Sequence, residues 1–334
     1  MTTHQAADLR QLAHRALVAS GASDDAAAST ASALIAAELD GIASHGLSRL
    51  PFYADQIRSG KVAGRAVPSA SQPAKAVIRI DAGGGLAFPA IDLGLERGLA
   101  LAATAGLVGI GIARSHHCGI AGHHVERLAQ RGLVGIAFAN TPAAIAPAGG
   151  ATPLFGTNPI AFACPRAAAP PLVIDLSMSV VARGKIMVAA KKGEAIPEGW
   201  ALDAAGKATT DPRAALAGTM APIGVVKGAA LALMVEILAA ALTGSNYGFE
   251  ASSFFEAEGP PPHVGQLFLA LDPKAFAGPG FSARIETLCE AMVADPAVRL
   301  PGDRRLESRA RLQREGISVP PGLLEDLRRR AGLK

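Results

Sequence analysis

Residues 76–140, AVIRIDAGGGLAFPAIDLGLERGLALAATAGLVGIGIARSHHCGIAGHHVERLAQRGLVGIAFAN, decide the fold class. Two β-branched runs, AVIRID (76–81) and LVGIGIA (107–113), bracket a segment from about Pro89 to Thr104 whose apolar residues recur at helical spacing. A second helix, AGHHVERLAQRG (121–132), then leads to a third apolar run, LVGIAFAN (133–140). Strands and helices alternating through short connections read as a layered α/β domain, because each sheet face needs a helix to cover it. Further along, PLVIDLS (171–177) and GQLFLALD (265–272) read as strands, with one long apolar helix starting at Lys227 between them.

Outward from this centre the texture is helical. One helix ends near Gly21, and a second starts at the Ser23-Asp24-Asp25 cap and runs to Gly41. A third spans Leu47 to Ser59 and stops at Gly60. KVAGRAVPSASQPAK (61–75) is rich in Pro, Gly and Ser and reads as a connection at a domain boundary. The last fifty residues return to helix, interrupted by RLPGDRR (299–305), so the two ends are expected to pack together. The organisation predicted is a helical domain of residues 1–65 with 285–334, a small α/β domain of 66–118, and a larger α/β domain of 119–284.

Composition narrows the function classes. Half of the 334 residues are hydrophobic, enough for substantial cores. The net charge of +4, from 32 basic and 28 acidic residues, is scattered and argues against nucleic acid, while suiting a small anionic metabolite. The N-terminus lacks a signal-type apolar core. The most apolar stretch, Gly228 to Thr243, is shorter than a bilayer span and contains Glu236, so it reads as a buried helix and no membrane is expected. Cys118, Cys164 and Cys289 are odd in number and widely spaced, as in a reduced, cytoplasmic protein.

Four segments carry chemistry. In DGIASHGLSRLPFY, Arg49 follows His45 by four residues, which on a helix places both on one face. A guanidinium can grip a carboxylate while the imidazole handles a proton on the neighbouring carbon's substituent, and Ser44 can orient the ring or bind the carboxylate. A capped helix start with a surface arginine explains the spacing equally well. RSHHCGIAGHH (114–124) lies between a strand and a helix, where ligands of α/β domains sit. Its histidines come as adjacent pairs that point apart, so no metal site is expected. GGATPLFGTNPIAFACP (149–165) offers Thr157 and Asn158 at a turn, and Lys227-Gly228 places a cation at a helix start. Both also fit ordinary structural roles. Neither a G-x-G-x-x-G nor a G-x-x-x-x-G-K-[ST] motif opens a strand–helix unit. Chemistry alone stops at an α/β enzyme for an anionic ligand.

Taken in order, SHGLSRLPFY, SHHCGIAGHH, GGATPLFGTNPIAFACPR, VIDLSMS, IPEGWALDAAG, VVKGAALALMVEIL and RLPGDRR resemble the type-2 malate/L-lactate dehydrogenases. These are NAD(P)-dependent oxidoreductases without a Rossmann fold. Within them the chain looks most similar to the Δ1-piperideine-2-carboxylate/Δ1-pyrroline-2-carboxylate reductases. The resemblance implies a homodimer with a non-Rossmann α/β cofactor domain flanked by a helical domain and a small α/β segment. It implies reduction of a small cyclic 2-imino carboxylate with NADPH (NADH being possible). His45 would be the proton donor with Ser44 its partner, and Arg49 and Thr157 would bind substrate. Cofactor contacts would come from His117, Cys118, Gly119, Ile120 and Ala121, from Asp175, Leu176 and Ser177, and from Lys227 and Gly228. The segment Arg299, Leu300, Pro301, Gly302, Asp303 and Arg304 would complete them. Two positions depart from the reductase pattern. Lys185 stands where an aspartate relay partner for the histidine is expected, and IGVVKG (223–228) replaces the usual Gly-Gly-His before the lysine. Lys185 is therefore carried as a candidate catalytic or anion-binding residue, and it favours an alternative: a 2-hydroxy-acid dehydrogenase of malate, lactate, ureidoglycolate or sulfolactate type. A non-catalytic binding protein that keeps the fold is the third reading.

Overall fold

The computed structural model describes residues 3–333. A short strand β1 (Thr3–His4) precedes helices α1 (Ala6–Ala19), α2 (Asp24–Leu39) and α3 (Leu50–Ser59). Helix α2 begins where the cap predicts: Ser23 Oγ accepts the Ala26 N–H at 3.3 Å. Between α2 and α3 the chain does not run straight into a helix at Leu47. It makes two 3₁₀ turns, Ala43–His45 and Leu47–Arg49, pinned by the Leu47 N–H donating to Glu38 Oε1 at 2.7 Å.

The centre is one seven-stranded sheet. Its members are β2 (Ser69–Ala74), β3 (Val77–Asp81), β4 (Leu107–Ser115), β5 (Val134–Ala139), β6 (Ile160–Cys164), β7 (Leu172–Leu176) and, much later, β11 (Val264–Leu271). Helices α4 (Ala87–Ala105) and α5 (Ala121–Ala129) connect β3 to β4 and β4 to β5. The strand order is β2-β3-β4-β11-β5-β6-β7, and only β3 and β4 pair in parallel among the described residues. A doubly wound nucleotide-binding fold is built on parallel strands, so this mixed, mostly antiparallel sheet is a non-Rossmann α/β architecture.

Three sequence-based expectations change here. Residues 61–75 are not merely a connection: they contain β2, an exposed edge strand in which Pro73 is tolerated because an edge leaves one row of N–H groups unpaired. The expected boundary at 118/119 does not divide the sheet, because β11 lies between β4 and β5 and bonds to both. The expected boundary at 285 also falls inside a helix, as described below.

After β7 come α6 (Arg183–Lys192), the small antiparallel strands β8 (Ala201–Leu202), β9 (Ala208–Thr209) and β10 (Thr219–Met220), and α7 (Pro212–Ala217). Helix α8 (Val226–Glu236) continues through a π-helical turn, Ile237–Ala241. Among the described residues no helix is long and apolar enough to cross a membrane. Beyond β11 and the short α9 (Pro273–Ala277), helix α10 (Phe281–Val293) docks on the end of β6 through an Arg166–Glu286 ion pair at 2.6 Å. The return to the helical layer begins with α11 (Asp303–Glu315), followed by β12 (Ile317–Ser318) and α12 (Pro321–Arg330). Strands β1 and β12 pair antiparallel, and Leu9, Leu17, Leu34 and Leu50 share a core with Ile317, Leu324 and Leu327, so the ends do pack together. Arg305 and Arg309 of α11 bridge Asp40, at the end of α2, to Glu126 of α5. That buried ion cluster ties the helical layer to the sheet layer.

Candidate active site

A cleft of about 560 Å³ opens where the helical layer meets the sheet, within the range typical of small-molecule sites. One wall is the pair of 3₁₀ turns, contributing Ser44, His45 and Arg49. The facing wall is the β4–α5 connection, His117 to Ala121. Thr157, Asp175, Ser177 and Arg183 line it from beyond β5, and residues 248–256 close it.

On the first wall, Ser44 Oγ lies 3.0 Å from His45 Nδ1, and Arg49 Nε donates to the Ser44 carbonyl at 2.7 Å. The Arg49 guanidinium sits 4.7 Å above the Phe255 ring. No carboxylate among the described residues pairs with it, which leaves its charge available for a ligand. Burial, and then the charge of Arg49, push the His45 imidazole down to about 4. At neutral pH it is therefore a free base.

The facing wall sorts the four histidines of RSHHCGIAGHH. Only His117 lines the cleft; its ring stacks on His45 with centroids 5.4 Å apart, and its Nδ1 is 2.6 Å from Tyr53 Oη. His116 points the other way, buried between Tyr53 and Phe254, with neither ring nitrogen bonded. His124 Nε2 is 2.8 Å from the Cys118 carbonyl oxygen. Among the described residues no group of three or more His, Cys, Asp or Glu is placed to hold a metal ion. The wall turns at Gly119, whose φ of +68° is strained for any residue with a Cβ, and a Cβ there would also press on the Phe88 ring at 3.1 Å. Asp175 Oδ2 accepts the Gly122 N–H at 2.7 Å in the first turn of α5.

The floor is organised by Glu236, the one carboxylate of the apolar helix α8. It accepts from the Gly248 N–H at 2.6 Å, from Asn140 Nδ2 at 3.1 Å and from Asn158 Nδ2 at 2.7 Å. Burial pushes its carboxyl up, and these donors pull it down. Asn140 Oδ1 in turn accepts the Gly265 N–H at 2.8 Å. The knot joins the ends of β5 and β11, the 156–158 turn and α8, and thereby sets Thr141, Thr157 and Gly248 on the cleft surface. The roof is organised by Lys61, 2% exposed, whose ammonium donates to the carbonyls of Ser253 (2.7 Å), Glu256 (3.0 Å) and Glu258 (3.2 Å). Gln56 adds a bond to the Glu256 carbonyl at 2.9 Å.

Of the residues singled out in the sequence, Ser44, His45, Arg49, Thr157, His117, Cys118, Gly119, Ile120, Ala121, Asp175 and Ser177 converge on this cleft. Lys185 does not: it is exposed in the first turn of α6, and Arg183, two residues earlier, takes the cleft position instead. The helical repeat turns side chains two apart to opposite faces, so Lys185 is not part of the cleft lining. Leu176 is 51% exposed and outside the cleft, since neighbours on a strand face opposite ways. Lys227 is exposed at the start of α8, and Gly228 is packed tightly on Ile223. A Ser179–Pro222 bridge holds this corner beside Ser177. Of the segment Arg299, Leu300, Pro301, Gly302, Asp303 and Arg304, none lines the cleft; Gly302 packs against Val173, two residues along β7 from Asp175. Sequence reasoning missed Arg183, Asn140, Thr141, Tyr53 and the Phe254-Phe255 pair. That pair was a usable signal in a chain only 4% aromatic.

The donors present fit a dinucleotide of nicotinamide type. Gly119 lets the backbone approach closely, and the carboxylate of Asp175 beside the start of α5 suits ribose hydroxyls. An imidazole beside a guanidinium can exchange a proton while the guanidinium grips an anion. The comparisons with known proteins give the lineage. A profile of the malate/L-lactate dehydrogenase family matches residues 4–328, and the chain belongs to that family. It is 57% identical over 317 residues to a (2R)-3-sulfolactate dehydrogenase (NADP(+)) of Chromohalobacter salexigens, covering 95% of this chain and 94% of the relative. It is 40% identical over 301 residues to a Δ1-pyrroline-2-carboxylate/Δ1-piperideine-2-carboxylate reductase of Pseudomonas putida, covering 89% and 87%. The crystal structure of Δ1-piperideine-2-carboxylate reductase from Pseudomonas syringae superposes with a TM-score of 0.94 at 38% identity, covering 99% of this chain and all of that one. Sulfolactate dehydrogenase of Methanocaldococcus jannaschii superposes at 0.90 with 30% identity, covering 100% and 98%.

Proposed function

We propose that this protein is an NADP-dependent dehydrogenase of 2-hydroxy acids that carry a second anionic group, of sulfolactate type. One observation carries the reading: two guanidiniums, Arg49 and Arg183, line the cleft, and neither is paired with a carboxylate among the described residues. A dianion satisfies both, whereas a cyclic imino acid presents one carboxylate. The name of the 57% identical relative supports this choice. Imine reduction, the first expectation from the sequence, becomes the second reading; it keeps support from the 40% identical reductase. The missing aspartate counts against it: His45 Nδ1 meets Ser44 Oγ instead.

The residues act as follows. Arg49 binds the C1 carboxylate, and Arg183 the second anion at the other end. His45, neutral at working pH, accepts the C2 hydroxyl proton as the carbonyl forms. In reduction, a protonated His45 returns that proton to the oxygen. Ser44 Oγ can donate or accept at Nδ1, so the imidazole keeps a partner in either state. Thr157, beside Thr141 on the floor, offers a hydroxyl to the substrate. A nicotinamide cofactor, held by residues 117–121, Asp175 and Ser177, supplies the hydride exchange at C2 when bound. Phe254 and Phe255 exclude water from that end of the cleft.

The test is substrate competition. NADP+ reduction with 3-sulfolactate and malate is expected to exceed that with lactate by about tenfold or more in kcat/KM, the worth of one charged hydrogen-bonded contact. Arg183→Met should remove that advantage and leave lactate unchanged. Turnover of piperideine-2-carboxylate with NADPH, with every hydroxy and keto acid inert, would overturn the reading in favour of the second. We further propose a homodimer. The outer face of α8 and its π turn leaves Leu233 45% and Ile237 52% exposed beside Leu231 and Met234, an apolar strip that a second copy would cover. A monomer in light scattering at micromolar concentration would contradict it.

A further inference from the structure

Two imidazoles stack across the cleft, and Tyr53 makes them chemically unlike. The Tyr53 side chain is 1% exposed, and its hydroxyl meets His117 Nδ1 at 2.6 Å. The pair can be written in two ways. With the imidazole proton on Nδ1, the phenol accepts and its own proton is stranded in a buried site; no other partner of Tyr53 Oη is found among the described residues. With the phenol donating, Nδ1 is the acceptor and the ring proton sits on Nε2, at the edge of a residue that lines the cleft. Only the second arrangement satisfies both groups.

We propose that Tyr53 is a positioning residue that locks His117 in the Nε2–H tautomer, so that His117 presents a constant neutral donor to an oxygen acceptor bound beside His45. His45 has no such lock, because a serine hydroxyl serves either tautomer. Burial, followed by the charges of Arg49, His45 and His116, holds the His117 imidazole well below its ordinary range, so it stays neutral. Burial raises the Tyr53 phenol, so it remains a donor. The two histidines divide the work: one exchanges a proton, the other holds the oxygen. This division rests on the proposed oxidation of a 2-hydroxy acid at the same cleft.

The tautomer is read directly by ¹⁵N NMR of the full chain labelled at histidine, without ligands, with the His117 signals identified by their loss in His117→Gln. From about pH 5.5 to 8.5, where an ordinary imidazole titrates, His117 is expected to keep an unprotonated Nδ1 and a protonated Nε2. Tyr53→Phe should mix the tautomers and lower kcat for the preferred hydroxy acid about three- to tenfold, the worth of one neutral hydrogen bond. The acid limb set by His45 should not move. A protonated Nδ1 in the unaltered protein, titration of His117 within that range, or an unchanged tautomer in a folded Tyr53→Phe overturns the proposal. If Tyr53→Phe fails to fold, the spectrum of the unaltered protein still decides. Because the spectra need no substrate, absence of hydroxy-acid turnover would sink the proposed function and leave the tautomer standing.

Discussion

His45 and His117 are stacked ring on ring, yet the two walls that present them differ in almost every respect. His45 sits on a 3₁₀ turn at the edge of the helical layer, half-buried, with a serine as its partner. His117 sits on a strand–helix turn, 7% exposed, with a buried phenol as its partner. On the proposed reading the first wall exchanges a proton and the second does not. Residue type therefore says little about role here, and the hydrogen-bond partner of Nδ1 says much.

The largest expected effect tests that contrast. His45→Ala should lower kcat by about 10²- to 10⁴-fold, as for a lost general acid/base, whereas His117→Ala should cost only about tenfold, as for a lost donor. Steady-state rates in which the order is reversed would break the comparison. Next, Arg49→Ala is expected to raise the substrate KM about 10- to 100-fold through loss of a charged hydrogen bond and to leave the cofactor KM nearly unchanged; a fall in kcat alone would reassign it.

The buried wall should also show itself in stability. Burial pushes His116 down to about 3 and His124 well below its ordinary range. Unfolded histidines bind protons below about pH 6.5 while these folded ones do not, so stability is present above that pH and falls as the pH drops toward the folded values. The expected slope is about 1.4 kcal/mol per pH unit for each such histidine. Urea unfolding at pH 7 and pH 5 checks it, and His116→Phe should flatten the difference. The smallest effect belongs to the open wall. The acid limb of hydroxy-acid oxidation, set by His45 near about 4, should rise in Arg49→Gln. It should stay below 6.5, because burial is the larger cause of the depression and remains. A limb that does not move would show that Arg49 and His45 do not interact.

Much of this was legible from local sequence. The Ser23 cap, the helix stop at Gly60 and the strands at 76–81, 107–113 and 133–140 follow from spacing, turn chemistry and neighbour sterics, which act within a few residues. The ordered motifs were enough to gather Ser44, His45, Arg49, Thr157 and residues 117–121 as one candidate site. Strand β2 was hidden because an exposed edge strand needs no apolar alternation, and Pro73 reads as a breaker.

What the amino-acid sequence determined alone was the set of elements, the non-Rossmann class and the lineage. The tertiary structure decided which groups meet. It inserted β11 between β4 and β5, brought Glu236 under the floor and Lys61 behind the roof, and placed Arg183 rather than Lys185 in the cleft. It also set Tyr53 against His117, 64 residues away in the chain. Those pairings depend on contacts between distant segments, whose geometry is fixed by burial and by the satisfaction of buried polar groups. No local periodicity encodes them.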